Sequence, residues 1–292
     1  MADLRHRVQE NVDGDFFVDS SCIDCDHCRQ IAPETFGDHD SQAIVHSQPT
    51  TPQSLHRALM ALVACPTGSI GTRKKHNLKA ATADFPQRLA DAVYYCGFAS
   101  RRSYGAVSYL IVRPEGNVLV DSPRFSAQLA KRLEEMGGVQ WMFFTHQDDV
   151  ADHEQFHTRF GCQRVMHSAD TNHRLHAIER KVDGNEAVAL DNDLTAIPVP
   201  GHTRGHMCLL YRDTFLFTGD HLAWDEDAGA LYAFRNYCWY SWPEQIRSME
   251  KLLGFDFVWV LPGHGRRYQA ASREAMRDKL LTCIESMKKF AH

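Results

Sequence analysis

The pattern of apolar and polar positions changes character partway along the chain. The first 70 or so residues are turn-rich, with only short apolar runs. A basic, polar stretch, Thr72-Arg-Lys-Lys-His-Asn-Leu-Lys79, follows and reads as a break. Beyond it, short β-runs alternate with amphipathic helical spacing. Ser108 to Val112 and Val118 to Val120 flank Pro114-Glu-Gly-Asn117 and predict a hairpin. Phe125 to Met136 has helical spacing and stops at Gly137-Gly138. Four β-runs end in turns that carry His or Asp. Val139 to Phe144 runs into Thr145-His146, and Leu194 to Val199 into Pro200-Gly201-His202. Thr214 to Thr218 runs into Gly219-Asp220, and Phe255 to Leu261 into Pro262-Gly263-His264. Strand-end loops in a layered α/β arrangement are where a rigid scaffold converges side chains on one point.

The pattern predicts two domains in an α+β chain: a small one over residues 1–75, a linker over 76–90, and a larger one over 91–292. Some 70 residues bury too little surface for a large core, so the first domain needs cross-links of another kind. Of the 292 residues, 43% are hydrophobic and 24% charged, which is ordinary for a soluble globular protein. A net charge of −5 gives no reason to expect nucleic acid or an anionic membrane as partner. No apolar run approaches a bilayer span, and no apolar segment follows Met1-Ala-Asp-Leu-Arg-His6 as in a signal peptide. Five of the nine cysteines (Cys96, Cys162, Cys208, Cys238, Cys283) are scattered singly in apolar stretches. They read as reduced, buried thiols of a cytoplasmic protein or an equivalent reducing compartment.

The other four cysteines are grouped. Cys22, Cys25 and Cys28 form Cys-x2-Cys-x2-Cys, three thiolates on one tight loop, and Cys65-Pro66 lies downstream. Thr51 to Val63, with Pro52 in its first turn, predicts a helix that carries Cys65 back to that loop. Residues 12–72, including Ala64-Cys-Pro-Thr-Gly-Ser-Ile70, resemble the single-cluster bacterial ferredoxins. The resemblance implies a 4Fe–4S cluster held by Cys22, Cys25, Cys28 and Cys65. A structural zinc site is the other use of four cysteines, but three spaced two apart suit a cube better. Asp19, Asp24, Asp26, Glu34, Asp38 and Asp40 crowd the same region. They read as a solvated acidic face or as a docking face for a basic electron-donor protein or reductase.

The 17 histidines invite a search for a second metal site. Thr145-His-Gln-Asp-Asp-Val-Ala-Asp-His153, Gly201-His-Thr-Arg-Gly-His206, Thr218-Gly-Asp220 and Pro262-Gly-His-Gly265 follow one another as in the metallo-β-lactamase superfamily. From about Val93 onward the chain resembles that superfamily, which implies an αβ/βα sandwich with two metals at one edge. Carried over, His146 and His202 bind the first metal and Asp152, His153 and His264 the second, with Asp220 bridging. The family's first motif usually reads His-x-His-x-Asp-His. Here Asp148 replaces the second His, and two extra residues precede Asp152-His153. Asp148 keeps the His-x-ligand spacing and is favoured over Asp149 as a ligand, though either is open. Without the insertion, Val150 and Ala151 would occupy the last two ligand positions and the site would be mononuclear. His157, His167, His173 and His176 are expected to have no metal role, and Cys96 to be inert. His206 and His221 are either orienting groups or ordinary packing. Tyr237-Cys-Trp-Tyr-Ser-Trp242 lines a pocket mouth or leads into a helix beginning at Pro243.

A carboxylate in place of an imidazole adds negative charge and a hard donor, favouring iron or manganese over zinc. Flavodiiron proteins of the same superfamily likewise carry a carboxylate there. The similarity implies two irons (alternatively zinc or manganese), with the ferredoxin part replacing a flavin domain as electron source. Three functions follow: an oxidoreductase acting on a small substrate, a binuclear zinc hydrolase with a regulatory ferredoxin domain, and a non-enzymatic redox sensor or electron carrier. A head-to-tail homodimer pairing one chain's cluster with the other's metal site is also compatible with the break near Thr72.

Overall fold

The computed structural model describes residues 2–172, 175 and 177–290. They form two compact units. One contains the residues up to Val118, Ser122–Val139 and Ala151–Phe160; the other contains Leu119–Asp121, Gln140–Val150 and the residues from Gly161 onward.

The first unit opens with the cysteine-bearing part. Strands β1 (Phe16–Val18), β2 (Phe36–His39), β3 (Gln42–Val45) and β4 (Ile70–Thr72) make two antiparallel pairs, β1 with β4 and β2 with β3. Helix α1 (His27–Ile31) carries Cys28, and α2 (Pro52–Ala64) delivers Cys65 as its C-cap. The start of α2 is fixed by a reciprocal cap: Thr51 accepts from Ser54 N–H, and Ser54 accepts from Thr51 N–H, each at 3.0 Å. Phe16, Phe36, Val45, Ala58, Met60 and Ala61 fill this small core.

Residues 76–90 are the stretch read as a linker. They carry α3 (Lys79–Ala83) and β5 (Gln87–Ala90). His76 Nε2 meets Asp15 at 2.6 Å and His56 Nε2 meets Asp84 at 2.5 Å, which ties the stretch back to the cysteine-bearing part. Strand β5 continues antiparallel into β6 (Val93–Tyr95) and β7 (Tyr109–Ile111). Helix α4 (Ala127–Glu135) starts on Ser126 and ends at Gly137-Gly138, both in left-handed backbone, as the glycine pair predicts. Helix α5 (His153–Phe160) completes the unit.

After β8 (Val118–Val120), the second unit carries β9 (Trp141–Phe143), β10 (Gln163–His167) and β11 (Arg180–Val182), paired in parallel. A six-stranded sheet follows. It uses β12 (Val188–Asp191), β13 (Leu194–Pro198), β14 (Met207–Tyr211) and β15 (Phe215–Gly219), then β18 (Trp259–Pro262) and β19 (Tyr268–Gln269), in that order. A short hairpin of β16 (Ala223–Asp225) and β17 (Ala230–Tyr232) stands apart. Only β15 and β18 pair in parallel within the six, because α6 (Trp242–Leu252) lies between them in the chain. The core sits where Ile197, Leu210 and Leu216 meet Met249 and Leu252 of α6 and Met276 and Leu280 of α7 (Arg273–Lys288). Strands β14 and β15 are buried along their whole length, which explains their unbroken apolar sequence.

Candidate metal centres

The cysteine loop is shaped by two aspartates in left-handed backbone, Asp24 (φ 55°) and Asp26 (φ 62°), a conformation Asp tolerates better than most residues. Cys22, Cys25, Cys28 and Cys65 line one cavity with Val18, Ile23 and Ala43. Burial pushes the Cys25 thiol up to about 12 and raises Cys28 well above the ordinary thiol value, and the neighbouring thiols add to both shifts. Four sulfurs crowded round one cavity, Cys28 buried and the others partly so, are held as thiolates when a cluster of iron cations binds them. The donor set fits such a group. Asp24 N–H already points at Cys22 Sγ, 3.5 Å away.

The acidic residues around this loop are largely spent on local structure. Arg29 pairs with Asp24 at 2.8 Å, with Asp38 at 2.7 Å and with Asp26. Asp19 is buried and accepts from Asp3 N–H and from Ser21. Glu34 lies 3.5 Å from Arg57. Asp40 alone of the six side chains is nearly fully exposed, at 93%.

The second centre lies in the second unit, on the turns that follow β9, β13, β15 and β18. His146 is wholly buried, and its Nδ1 faces the Thr145 hydroxyl at 3.0 Å. That hydroxyl donates to Asp121, whose carboxylate also accepts Thr145 N–H at 2.8 Å. With its single proton committed to Asp121, Thr145 accepts from His146 Nδ1–H, which leaves the Nε2 lone pair facing the site. Burial pushes His146 down to about 4, so the ring is neutral near pH 7.

Two groups of donors surround this Nε2. In one, His146, Asp148 and His202 converge, with Asp148 Oδ2 3.8 Å from His146 Nε2 and 3.6 Å from His202 Nε2. In the other, His146, Asp149 and Asp220 converge, all within 4.8 Å of one another. Asp220 touches both, its Oδ2 lying 3.9 Å from His146 Nε2 and 3.7 Å from His202 Nε2, and its Oδ1 2.7 Å from His264 Nδ1. Gly263 makes the meeting of carboxylates possible: a Cβ there would sit 2.9 Å from Asp149 and 3.0 Å from Asp220.

Asp149 is only 1% exposed, and neither of its oxygens has a hydrogen-bond partner among the described residues. Burial raises it well above the carboxylate range, and Asp220 beside it adds to the shift. Asp121, also buried, is pushed up to about 8. A buried Asp149 carboxylate without hydrogen-bond partners, beside Asp220 and the neutral His146 ring, is a costly arrangement without cations and a good one with them. The donor set therefore fits a pair of metal ions.

His146, Asp148, His202, Asp220 and His264 are thus brought together, and Asp149 joins Asp148 rather than competing with it. Asp152 and His153 belong to neither donor group. The Asp152 carboxylate is spent elsewhere in the first unit, pairing with Arg102 at 2.8 Å and accepting Phe125 N–H at 2.9 Å. His153 is the first residue of α5. His206 is an orienting group: it accepts Asp220 N–H at 3.2 Å and stacks on His146 at 5.0 Å. His221 packs 5.7 Å from His206. His167 bonds Gly184 O at 2.8 Å and takes no part, while His173 and His176 lie outside the described residues. Cys96 is buried, and burial pushes it up to about 12, as an inert thiol requires. Of the aromatic stretch, Trp239 is 64% exposed and donates its backbone N–H to His202 O, so it borders the site before Ser241 caps α6.

Two residues escaped the sequence reading. Asp121 supports His146 through Thr145, as described. Asp170 ties two of the site's loops together, accepting from Thr203 Oγ1 and Gly205 N–H at 2.6 Å and from Gln147 N–H at 3.2 Å. Asp121 follows directly on the apolar run Val118 to Val120, the same strand-end signal that marked the other turns.

Residues 18–72 match the family model of the 4Fe-4S single cluster domain of Ferredoxin I, and residues 88–277 that of the Metallo-beta-lactamase superfamily. The chain is 30% identical over 119 residues to a hydroxyacylglutathione hydrolase of Klebsiella pneumoniae, a match that covers 39% of this chain and 46% of that protein. It therefore spans less than half the length of that relative. Among solved structures, a metallo-beta-lactamase from Hirschia baltica matches with TM-score 0.53 and 16% identity, over 68% of this chain and 95% of that one. ETHE1 from Myxococcus xanthus matches with TM-score 0.50 and 19% identity, over 68% and 88%. Both share the fold.

Proposed function

The chain belongs to the metallo-beta-lactamase superfamily, and because a 4Fe–4S single-cluster domain precedes that part, we propose that it is an oxidoreductase. In this reading single electrons pass between a cluster on Cys22, Cys25, Cys28 and Cys65 and a two-metal site acting on a small substrate. His146, Asp148 and His202 would hold one metal, Asp149 and His264 the other, and Asp220 would bridge them.

The observation that carries the reading is the carboxylate count. Asp148, Asp149 and Asp220 converge on His146 Nε2, at 3.8, 4.0 and 3.9 Å. Three hard, anionic donors favour iron or manganese over zinc and stabilise a higher oxidation state. When bound, such metals supply one-electron chemistry. The protein's own contribution is to fix His146 Nε2 through Thr145 and Asp121, to hold Asp220 through His206, and to border the substrate's approach with Trp239. None of the nine cysteines forms a disulfide, consistent with a reducing compartment in which an electron-donor protein or reductase would recharge the cluster.

One finding favours a second reading. The partial match to a hydroxyacylglutathione hydrolase supports a metal-dependent hydrolase, in which zinc would supply an activated water and the ferredoxin part would regulate. Total metal analysis with Mössbauer spectroscopy on protein purified without oxygen separates the two. Redox chemistry predicts about six irons per chain, with a high-spin component beside the cubane. About four irons with two zincs would sink that reading and support the hydrolase.

A further inference from the structure

Within the first unit, one turn touches the cysteine loop at one end and Ala151 and Asp152 at the other. The turn runs from Ser100 to Ala106 and is closed by its own backbone: Gly105 N–H donates to Ser100 O at 2.8 Å, and Ala106 N–H to Ser103 O at 2.7 Å. At its far end Gly105 backs directly onto Cys25. A Cβ on Gly105 would begin 2.7 Å from Cys25 Cβ and 3.5 Å from its Sγ, and the residue's φ of +84° also calls for glycine. Gly105 O meets His27 Nε2 at 2.5 Å, and His27 Nδ1 meets Tyr95 OH at 2.7 Å. His27 lies between Cys25 and Cys28 and is 3% exposed. At the near end the buried Ser103 hydroxyl accepts Ala151 N–H at 3.2 Å, and Arg102 pairs with Asp152 at 2.8 Å. Ala151 is two residues along the chain from Asp149.

We infer that the Ser100–Ala106 turn is the route by which an electron passes between the cluster loop and the second metal site, an inference that rests on the redox reading above. Tunnelling is favoured along covalent and hydrogen bonds over gaps, and the turn supplies both without interruption from Cys25 to the backbone that carries Asp149. The transfer moves one electron and no atoms: the reduced cluster loses one and a metal of the second site gains one. The cluster is recharged by a one-electron donor, dithionite in the experiment. His27 and Ser103 are positioning residues, each holding one end of the turn in contact. Nothing else is required of Asp152, whose carboxylate anchors the turn instead of a metal.

The test uses the full, metal-loaded chain without oxygen. One electron equivalent of dithionite is mixed in rapidly, and freeze-quenched samples are followed by electron paramagnetic resonance. In the native protein the cluster signal should rise first and then decay as a mixed-valent signal grows at the second site. Ser103→Ala and His27→Phe should each slow that second phase severalfold while iron content and the cluster's reduction potential in Ser103→Ala stay native. A native rate in both variants overturns the route and leaves the redox reading intact. No electron reaching the second site in the native protein overturns both. If His27→Phe loses iron on purification, Tyr95→Phe breaks the same tether at its outer end and is expected to slow the phase likewise.

Discussion

Asp148 is the residue whose chemistry is most individual. The family pattern places an imidazole at this position, and the chain places a carboxylate 3.6 Å from His202 Nε2, half-exposed at 37%. The His202 ring beside it lowers its pKa despite partial burial, so it is an anion at neutral pH. Asp148→His removes one negative charge and one hard donor while keeping a ligand. The second site should then take up zinc in preference to iron, with cluster iron unchanged. Metal analysis after growth with both metals checks this, and an unchanged iron-to-zinc ratio would show that Asp148 does not select the metal. The spacing argument reached Asp148 because one-residue alternation is visible in sequence. It could not admit Asp149 at the same time, because two adjacent side chains facing one centre requires an irregular turn rather than a strand.

At the scale of elements, the site depends on how strand-end loops are held. Strand β15 shifts register against β18 between Phe217 and Gly219, and the irregularity falls just before Asp220, where such shifts re-aim a side chain. Asp170 is the corresponding tie between the loops bearing Gln147 and Thr203. Asp170→Ala strands Thr203 and Gly205 N–H and should cost about 1–3 kcal/mol of stability. It should also weaken metal binding at the second site by about 10–100-fold, as loss of an orienting partner does, read by competition with a chelator. A native affinity would reduce Asp170 to packing. The strand-end rule pointed to His146, His202, Asp220 and His264 because each lies in the turn, within three residues of the end of its β-run. Asp170 follows β10 only after a short helical turn, Ser168–Asp170, and so carried no such signal. Asp152 and His153 came from the motif resemblance rather than from a strand end. Their sequence matched a motif, but Arg102, fifty residues earlier, claims the carboxylate, and no local pattern announces so distant a partner.

The edge of the parallel strands supplies a pH-dependent case. Glu179 is partly buried, which alone would raise it, but Arg164 bonds it through Nη2 at 2.6 Å, Nε at 3.0 Å and backbone N–H at 2.8 Å and holds it down to about 2. A carboxylate lowered in the folded state contributes stability that is present above its unfolded value of about 4.5 and is lost as pH falls through about 2. Glu179→Gln removes the carboxylate charge that faces the buried Arg164 guanidinium. Urea midpoints should fall below native by a constant amount from pH 7 to pH 5, and the gap should narrow as the pH drops further. A gap independent of pH down to 3 would mean that the carboxylate's charge is not what stabilises this edge.

The whole molecule joins two kinds of stability in one chain. The second unit rests on a conventional core, from Ile197 and Leu216 to Leu280 and Met287. The cysteine-bearing part has two-stranded sheets, one helix longer than five residues and a much smaller apolar interior. The short spacing of Cys22, Cys25 and Cys28 made the need for a cross-linking group legible, whereas the seating of His27 on Tyr95 and Gly105 was not, since it joins positions 68 and 78 apart. Opening free energy tracks such local resources, so the two parts should part company when the cluster is lost. Chelating the iron after oxidation leaves the four-cysteine cavity without cations and an Arg29 network with no loop to clamp. Hydrogen exchange should then rise sharply from β1 through β4, including α2, while β13 to β15 and β18 keep their native protection. The retained tether from His27 to Tyr95 would place β6 between these extremes. Equal loss of protection in both parts would mean instead that the cluster supports the lactamase-like sheet as well, and that the chain unfolds as one cooperative body.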